Sequence, residues 1–70
     1  MKNNFTDDSS GTKIKVYRLA RGMTQEQLAG DAGLAVSTII RIELGKIRNP
    51  GRGTLKAIAK ALEVSVGDIM

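Results

Sequence analysis

From residue 24 to residue 44 the chain reads TQEQLAGDAGLAVSTIIRIEL, two short helical patterns joined by a glycine-containing turn. Thr24 followed three positions later by Gln27 is a capping box, in which each side chain bonds the other residue's backbone N–H, so a helix starts there. Leu28 and Ala32 stand four apart on its inward side, and Ala29 lets a neighbouring helix come close. Gly33 ends it, either as a left-handed cap or because the turn needs a residue without a side chain. At 100° per residue, Ile39 and Ile42 set the inward direction of the next helix, residues 36–44, which ends at Gly45. Ser37, Ile40 and Arg41 point the opposite way, with Val36 and Leu44 at the flanks. A short helix held outward by another presents that face to whatever the protein meets.

The remainder supplies the support for this pair. Residues 1–11, MKNNFTDDSSG, are polar and aperiodic and read as a disordered arm. Residues 12–21 form a first helix with Thr12 or Ser10 as N-cap, apolar contacts from Ile14, Tyr17, Leu19 and Ala20, and Gly22 just beyond its end. Residues 46–53, KIRNPGRG, hold the single proline and two glycines and read as a loop. Leu55, Ile58, Ala59 and Leu62 recur at helical spacing with Lys56 and Lys60 outward. Ser65 caps a last short turn in which Val66, Ile69 and Met70 either cover the bundle or join a two-fold contact. The expected fold is all-α: a compact bundle of five short helices over residues 12–70, preceded by the arm.

Seventy residues allow one domain and no elaborate cleft, since a chain of this size buries only about 60% of its unfolded surface. Apolar residues make up 41%, yet there are one Tyr, one Phe and no Trp, so the core must be aliphatic, which suits helices better than a sheet. The absence of Cys and His removes disulfides, thiolate metal sites and the commonest general base. No carboxylate pair or Ser–Lys arrangement stands at credible spacing, and Gly51, Arg52 and Gly53 follow no strand, so an enzyme is the weakest class. No cofactor, metal or small-molecule ligand is implied. The apolar runs are too short to span a bilayer and no signal-peptide pattern opens the chain, which makes a soluble cytoplasmic protein the expectation.

Charge narrows the class further. Residues 12–70 carry ten Lys and Arg against five Asp and Glu, a net charge of +5, while the arm is slightly acidic. Most of this excess follows the outward helix, in Arg41, Lys46, Arg48, Arg52, Lys56 and Lys60. An outward helix followed by a basic cluster fits a surface that contacts nucleic-acid phosphates, although solubility alone also accounts for a cationic excess. Arg41 can hold guanine O6 and N7 with its planar fork, or bind a phosphate. Ser37 can bond a base, a phosphate or its own backbone. Val36 and Ile40 fit thymine methyls; together with Leu44 they also form an i, i+4, i+8 stripe that fits a protein partner.

At this point the pattern resembles the phage-repressor-like (XRE or Cro-type, lambda-repressor-like) helix-turn-helix DNA-binding domains. The resemblance rests on Arg18, RGMTQEQLA from Arg21, Gly33, STIIRIELGK from Ser37, Pro50, TLKAIAKAL from Thr54, and VSVGDI. It implies that Val36, Ser37, Ile40 and Arg41 lie on or beside a base-reading face. Thr24, Gln25, Thr38, Lys46, Arg48, Asn49 and Arg52 form the implied phosphate-contacting set, and Arg18 and Glu43 an implied structural salt bridge. Three departures stand out: Ala35 lacks the usual capping side chain, at a cost of about 1 kcal/mol, Leu44 replaces a common Asn, and Val36 and Ile40 are apolar where polar residues are frequent. The resulting expectation is a homodimeric transcriptional regulator, a repressor rather than an activator, on a palindromic operator in double-stranded DNA. The alternative is an antitoxin-like or other protein-interaction module using the apolar stripe.

Overall fold

The computed structural model describes residues 9–70 and contains α1 (Ser10–Ala20), α2 (Gln25–Ala32), α3 (Val36–Glu43), α4 (Arg52–Leu62) and α5 (Val66–Ile69), with no strand among those residues. The first eight residues of the expected arm lie outside the described residues. Three of the five helices start on a side-chain cap. The Ser9 hydroxyl accepts from the Thr12 N–H at 3.3 Å, so Ser9, rather than Thr12 or Ser10, caps α1, and Ser10 and Gly11 belong to its first turn. Thr24 and Gln27 form the expected reciprocal box at 3.0 and 2.8 Å. Ser65 and Asp68 form a second one at 3.3 and 3.0 Å. The helices α3 and α4 follow Ala35 and Gly51 and have no side-chain cap.

The helix that follows the proline is longer than its apolar spacing implies. It begins at Arg52, so Arg52 and Gly53 form its first turn instead of ending the loop. Pro50 stands one residue before the N-cap, and Gly51 takes the extended N-cap conformation. At its other end Glu63 adopts the left-handed conformation, φ 60°, and its exposed carboxylate meets Arg21 at 3.4 Å.

The core is aliphatic throughout. Ile14, Leu28, Ile39, Ile42, Ile58, Leu62 and Ile69 have essentially no exposed surface, and Ala29 and Ala59 complete the cluster. Ile69 thus covers the bundle, Val66 packs against it from the side, and Met70 stays exposed. The contribution of α1 differs from its sequence reading. Leu19 is 58% exposed and Ala20 is also outward, whereas Gly11, Ile14 and Arg18 face in. The reason is angular: Gly11, Ile14 and Arg18 fall on one side of the helix, and Leu19 lies about 140° from Ile14.

Gly11 marks the closest approach in the bundle. A Cβ built there would overlap the Ile42 carbonyl oxygen and lie 3.3 Å from the Glu43 Cα, so the first turn of α1 rests directly on the backbone of the last turn of α3. Gly30, inside α2, has open space around its Cα and a helical backbone. The same substitution is therefore expected to act oppositely at the two positions. Gly11→Ala should destabilise by about 2 kcal/mol through forced backbone separation, and Gly30→Ala should stabilise by about 0.5–1 kcal/mol through helix propensity. Urea denaturation of the two variants reads both signs, and equal midpoints would show that the helix crossing is not tight.

Candidate nucleic-acid interface

The turn between α2 and α3 is held by backbone bonds and by packing of Leu34. Gly33 takes the left-handed conformation at φ 71°, its N–H reaches the Gly30 carbonyl at 3.2 Å, and the Leu34 N–H reaches that of Ala29 at 2.9 Å. Leu34 packs against the core and ties down the exit of the turn. Burial of Ile39 and Ile42 then fixes the rotation of α3. Ser37 and Arg41 are exposed, Leu44 just past its end is 66% exposed, and Val36, Thr38 and Ile40 are half-buried. Val36 leans on the core, whereas Ile40 is not among the side chains packed against it.

The segment after α3 turns back on itself because the Arg41 carbonyl accepts from both the Lys46 and Ile47 N–H groups, at 2.9 and 3.2 Å. Ile47 is half-buried against the core, which leaves Lys46, Arg48 and Asn49 exposed on either side of it. Arg48 and Asn49 line a groove of about 510 Å³ shared with Ser9, Gly11, Leu44 and Gly45, so this part of the loop lies beside the start of α1. Arg52 sits apart from that groove, exposed in the first turn of α4. Since neither Ala35 nor Gly51 offers a capping side chain, the first amides of α3 and α4 are left for water or an anion.

Two members of the expected phosphate-contacting set are already engaged within the molecule. The Thr24 hydroxyl accepts from Gln27, which leaves only its own O–H to donate. The Gln25 side chain donates to Glu43 Oε1 at 3.1 Å, which leaves its second amide hydrogen and its backbone N–H. No spacing in the sequence pointed to this last bond.

Glu43 is the meeting point of three elements. Arg18 Nε donates to its Oε2 at 2.7 Å and Arg18 Nη2 to its Oε1 at 3.0 Å, while Gln25 approaches from α2. Arg18 Nη1 reaches the Met23 carbonyl at 2.8 Å, and the Met23 N–H returns a bond to the Arg18 carbonyl at 3.1 Å. The two charged side chains are only 8% and 3% exposed, and no buried side-chain polar atom among the described residues lacks a partner. The hydrogen bonds that Arg18 donates to Glu43 raise the guanidinium pKa above its ordinary value, against the opposing effect of burial, with Glu43 and Glu26 charge adding to the rise. Glu43 is thus neutralised from inside the bundle, and among the described residues no acidic side chain pairs with the exposed cations Arg41, Lys46 or Arg48.

With this geometry in place, the comparisons with known proteins define the class. The chain belongs to the helix-turn-helix family, whose model matches residues 14–69. It is similar to the immunity repressor protein of Bacillus phage phi105, 42% identical over 60 residues that cover 86% of this chain and 41% of that protein. It is also similar to the transcriptional repressor RghR of Bacillus subtilis, 35% identical over 63 residues, 90% of this chain and 47% of that one. The chain therefore spans less than half the length of these curated relatives. Among solved structures, the N-terminal DNA-binding domain of SinR from Bacillus subtilis superposes with a TM-score of 0.84 at 33% identity, covering 90% of this chain and 91% of that one. A crystal structure of SinR in complex with DNA superposes with a TM-score of 0.80 at 36% identity, covering 83% and 92%.

The buried pair has a direct thermodynamic test. Glu43→Ala leaves the Arg18 charge buried without its partner and should cost about 3–5 kcal/mol, a large share of the roughly 3–10 kcal/mol available to a domain of this size. The double variant Arg18→Met with Glu43→Leu should be more stable than either single one, because it removes both charges and keeps the volume. Thermal unfolding of the three variants checks this; additive losses in the double variant would mean that the pair is not electrostatically coupled.

Proposed function

We propose that this chain is a sequence-specific double-stranded DNA-binding transcriptional regulator, a repressor, that places α3 in the major groove. The observation that carries the reading is the outward face of α3. Ser37 and Arg41 are exposed there, and no intramolecular side-chain partner occupies Arg41, Lys46, Arg48 or Arg52 among the described residues. A helix on a supporting helix, with its polar side chains unspent and cations around it, meets the geometric and electrostatic needs of groove binding together. Arg41 donates its fork to a guanine, and Ser37, Val36 and Ile40 meet neighbouring base edges.

Lys46, Arg48, Asn49 and Arg52 hold phosphates on the side beyond α3. Thr24, Gln25 and Thr38 hold the opposite strand through the donors left to them. A helix-turn-helix unit of this size reads a short half-site, so two copies on a palindrome with half-sites about 34–36 Å apart complete the operator. The same location as the DNA, cytoplasm or nucleoid, follows from this reading. The relatives named as repressors and the DNA complex of SinR support it by similarity. The exposed Leu44 favours one competing reading, a protein-interaction module built on Val36, Ile40 and Leu44. Salt separates the two: DNA affinity falls by about 0.9 log unit per neutralised phosphate for each log unit of salt, whereas an apolar contact is nearly indifferent to it.

Two substitutions test the division of labour, read by binding selection from random duplexes and by salt titration. Arg41→Ala should lose discrimination at one base-pair position by about 5- to 150-fold. A uniform loss over all sequences would reassign Arg41 to the phosphates. Arg48→Ala should weaken all duplexes alike and reduce the salt slope by about 1; unchanged binding would remove Arg48 from the interface.

A further inference from the structure

The outward face of α3 carries apolar groups where the proposed partner is a polar groove. Ile40 is only half-buried and does not pack against the core, and Leu44 is 66% exposed one turn further on. Folding therefore does not account for their apolar character. An apolar protein surface is a poor match for this face. Covering it would also strip water from the unpaired, exposed cations Arg41, Lys46 and Arg48, which is costly without acidic partners. A duplex supplies phosphates for those cations. Its major groove offers one kind of apolar group, the methyl at pyrimidine C5.

We propose that Ile40, flanked by Val36, reads a C5-methyl group, of thymine or of 5-methylcytosine, within two base pairs of a guanine held by Arg41. The inference rests on the DNA-binding reading above and names the chemistry that the same face selects. Dimensions agree with it. Val36 and Ile40 are separated by about 6 Å along the helix, close to two base steps of about 3.4 Å each. The two side chains stand about 40° apart and form one continuous strip, with Ser37 and Arg41 on its other side. The hydrogen-bonding capacity of the exposed face is limited to Ser37 and Arg41, so apolar contact carries a larger part of the discrimination here than in a face rich in amides. Both sources present the same methyl at the same place in the groove, and neither unmethylated cytosine nor deoxyuridine presents it.

The experiment uses the full 70-residue chain and the duplex it selects from a random pool. Each thymine of that duplex is replaced in turn by deoxyuridine, and the same pyrimidine positions are made cytosine or 5-methylcytosine. At one or two positions beside the guanine, deoxyuridine should weaken binding about three- to tenfold, the effect of one buried methyl or slightly more. A matching gain of 5-methylcytosine over cytosine assigns the face to the methyl whichever base carries it. A thymine effect alone restricts the ligand to thymine. Ile40→Asn should abolish the difference between thymine and deoxyuridine. Ile40→Val, which keeps the branched shape and removes little, should retain most of it. Thymine and deoxyuridine bound equally at every position, or full discrimination surviving in Ile40→Asn, overturns the proposal. A chain that selects no duplex at all instead overturns the DNA reading beneath it, so the two failures are distinguishable.

Discussion

The bidentate pair between Arg18 and Glu43 holds α1, α2 and α3 in one arrangement. Arg18 spends its three nitrogens on two carboxylate oxygens and the Met23 carbonyl, and Gln25 adds a bond from the start of α2. In a bundle this small, aliphatic side chains alone leave freedom to slide, because Ile, Leu and Ala surfaces are tolerant of register. A buried ion pair is intolerant: displacement by an ångström leaves a charge without its partner in a medium where that is expensive.

The orientation of α3 follows from that constraint together with two buried isoleucines. Ile39 and Ile42 set the rotation, Glu43 sets the position along the axis, and Gly11 lets α1 close onto the last turn. What remains outward is determined by subtraction. Ser37, Arg41 and Leu44 are exposed because no other element of the bundle reaches them. The pair also has an electrostatic consequence. Glu43 stands in the middle of the basic stretch, yet its charge is directed inward and balanced there, so Arg41 and Lys46 present their charge undiminished to solvent and to a polyanion.

Much of this was legible in the chain. The capping box at Thr24, the stop at Gly33 and the inward direction of α3 are local or periodic features, and local features survive folding unchanged. Ser10 and Gly11 read as part of a polar arm because nothing in their own chemistry shows that the α3 backbone passes within contact distance of Gly11. Leu19 is apolar, yet the turn of α1 carries it outward, about 140° from Ile14. Arg52 reads as loop because Gly53 follows it, yet the helix extends back to the residue after Gly51. The Gln25 bond to Glu43 joins residues 18 positions apart and has no signature in sequence spacing.

The sequence by itself determined where all five helices lie to within a few residues, that their core is aliphatic, and that a cationic outward surface follows the second of the paired helices. These depend on side-chain periodicity and capping, which act within a turn or two of chain. Only the tertiary structure decided which side chains are spent, that Gln25 joins Arg18 on Glu43, and that Leu44 stands uncovered while Ile40 is half-buried without packing on the core. Those outcomes depend on contacts between residues far apart in the chain, where burial of one group dictates the exposure of another.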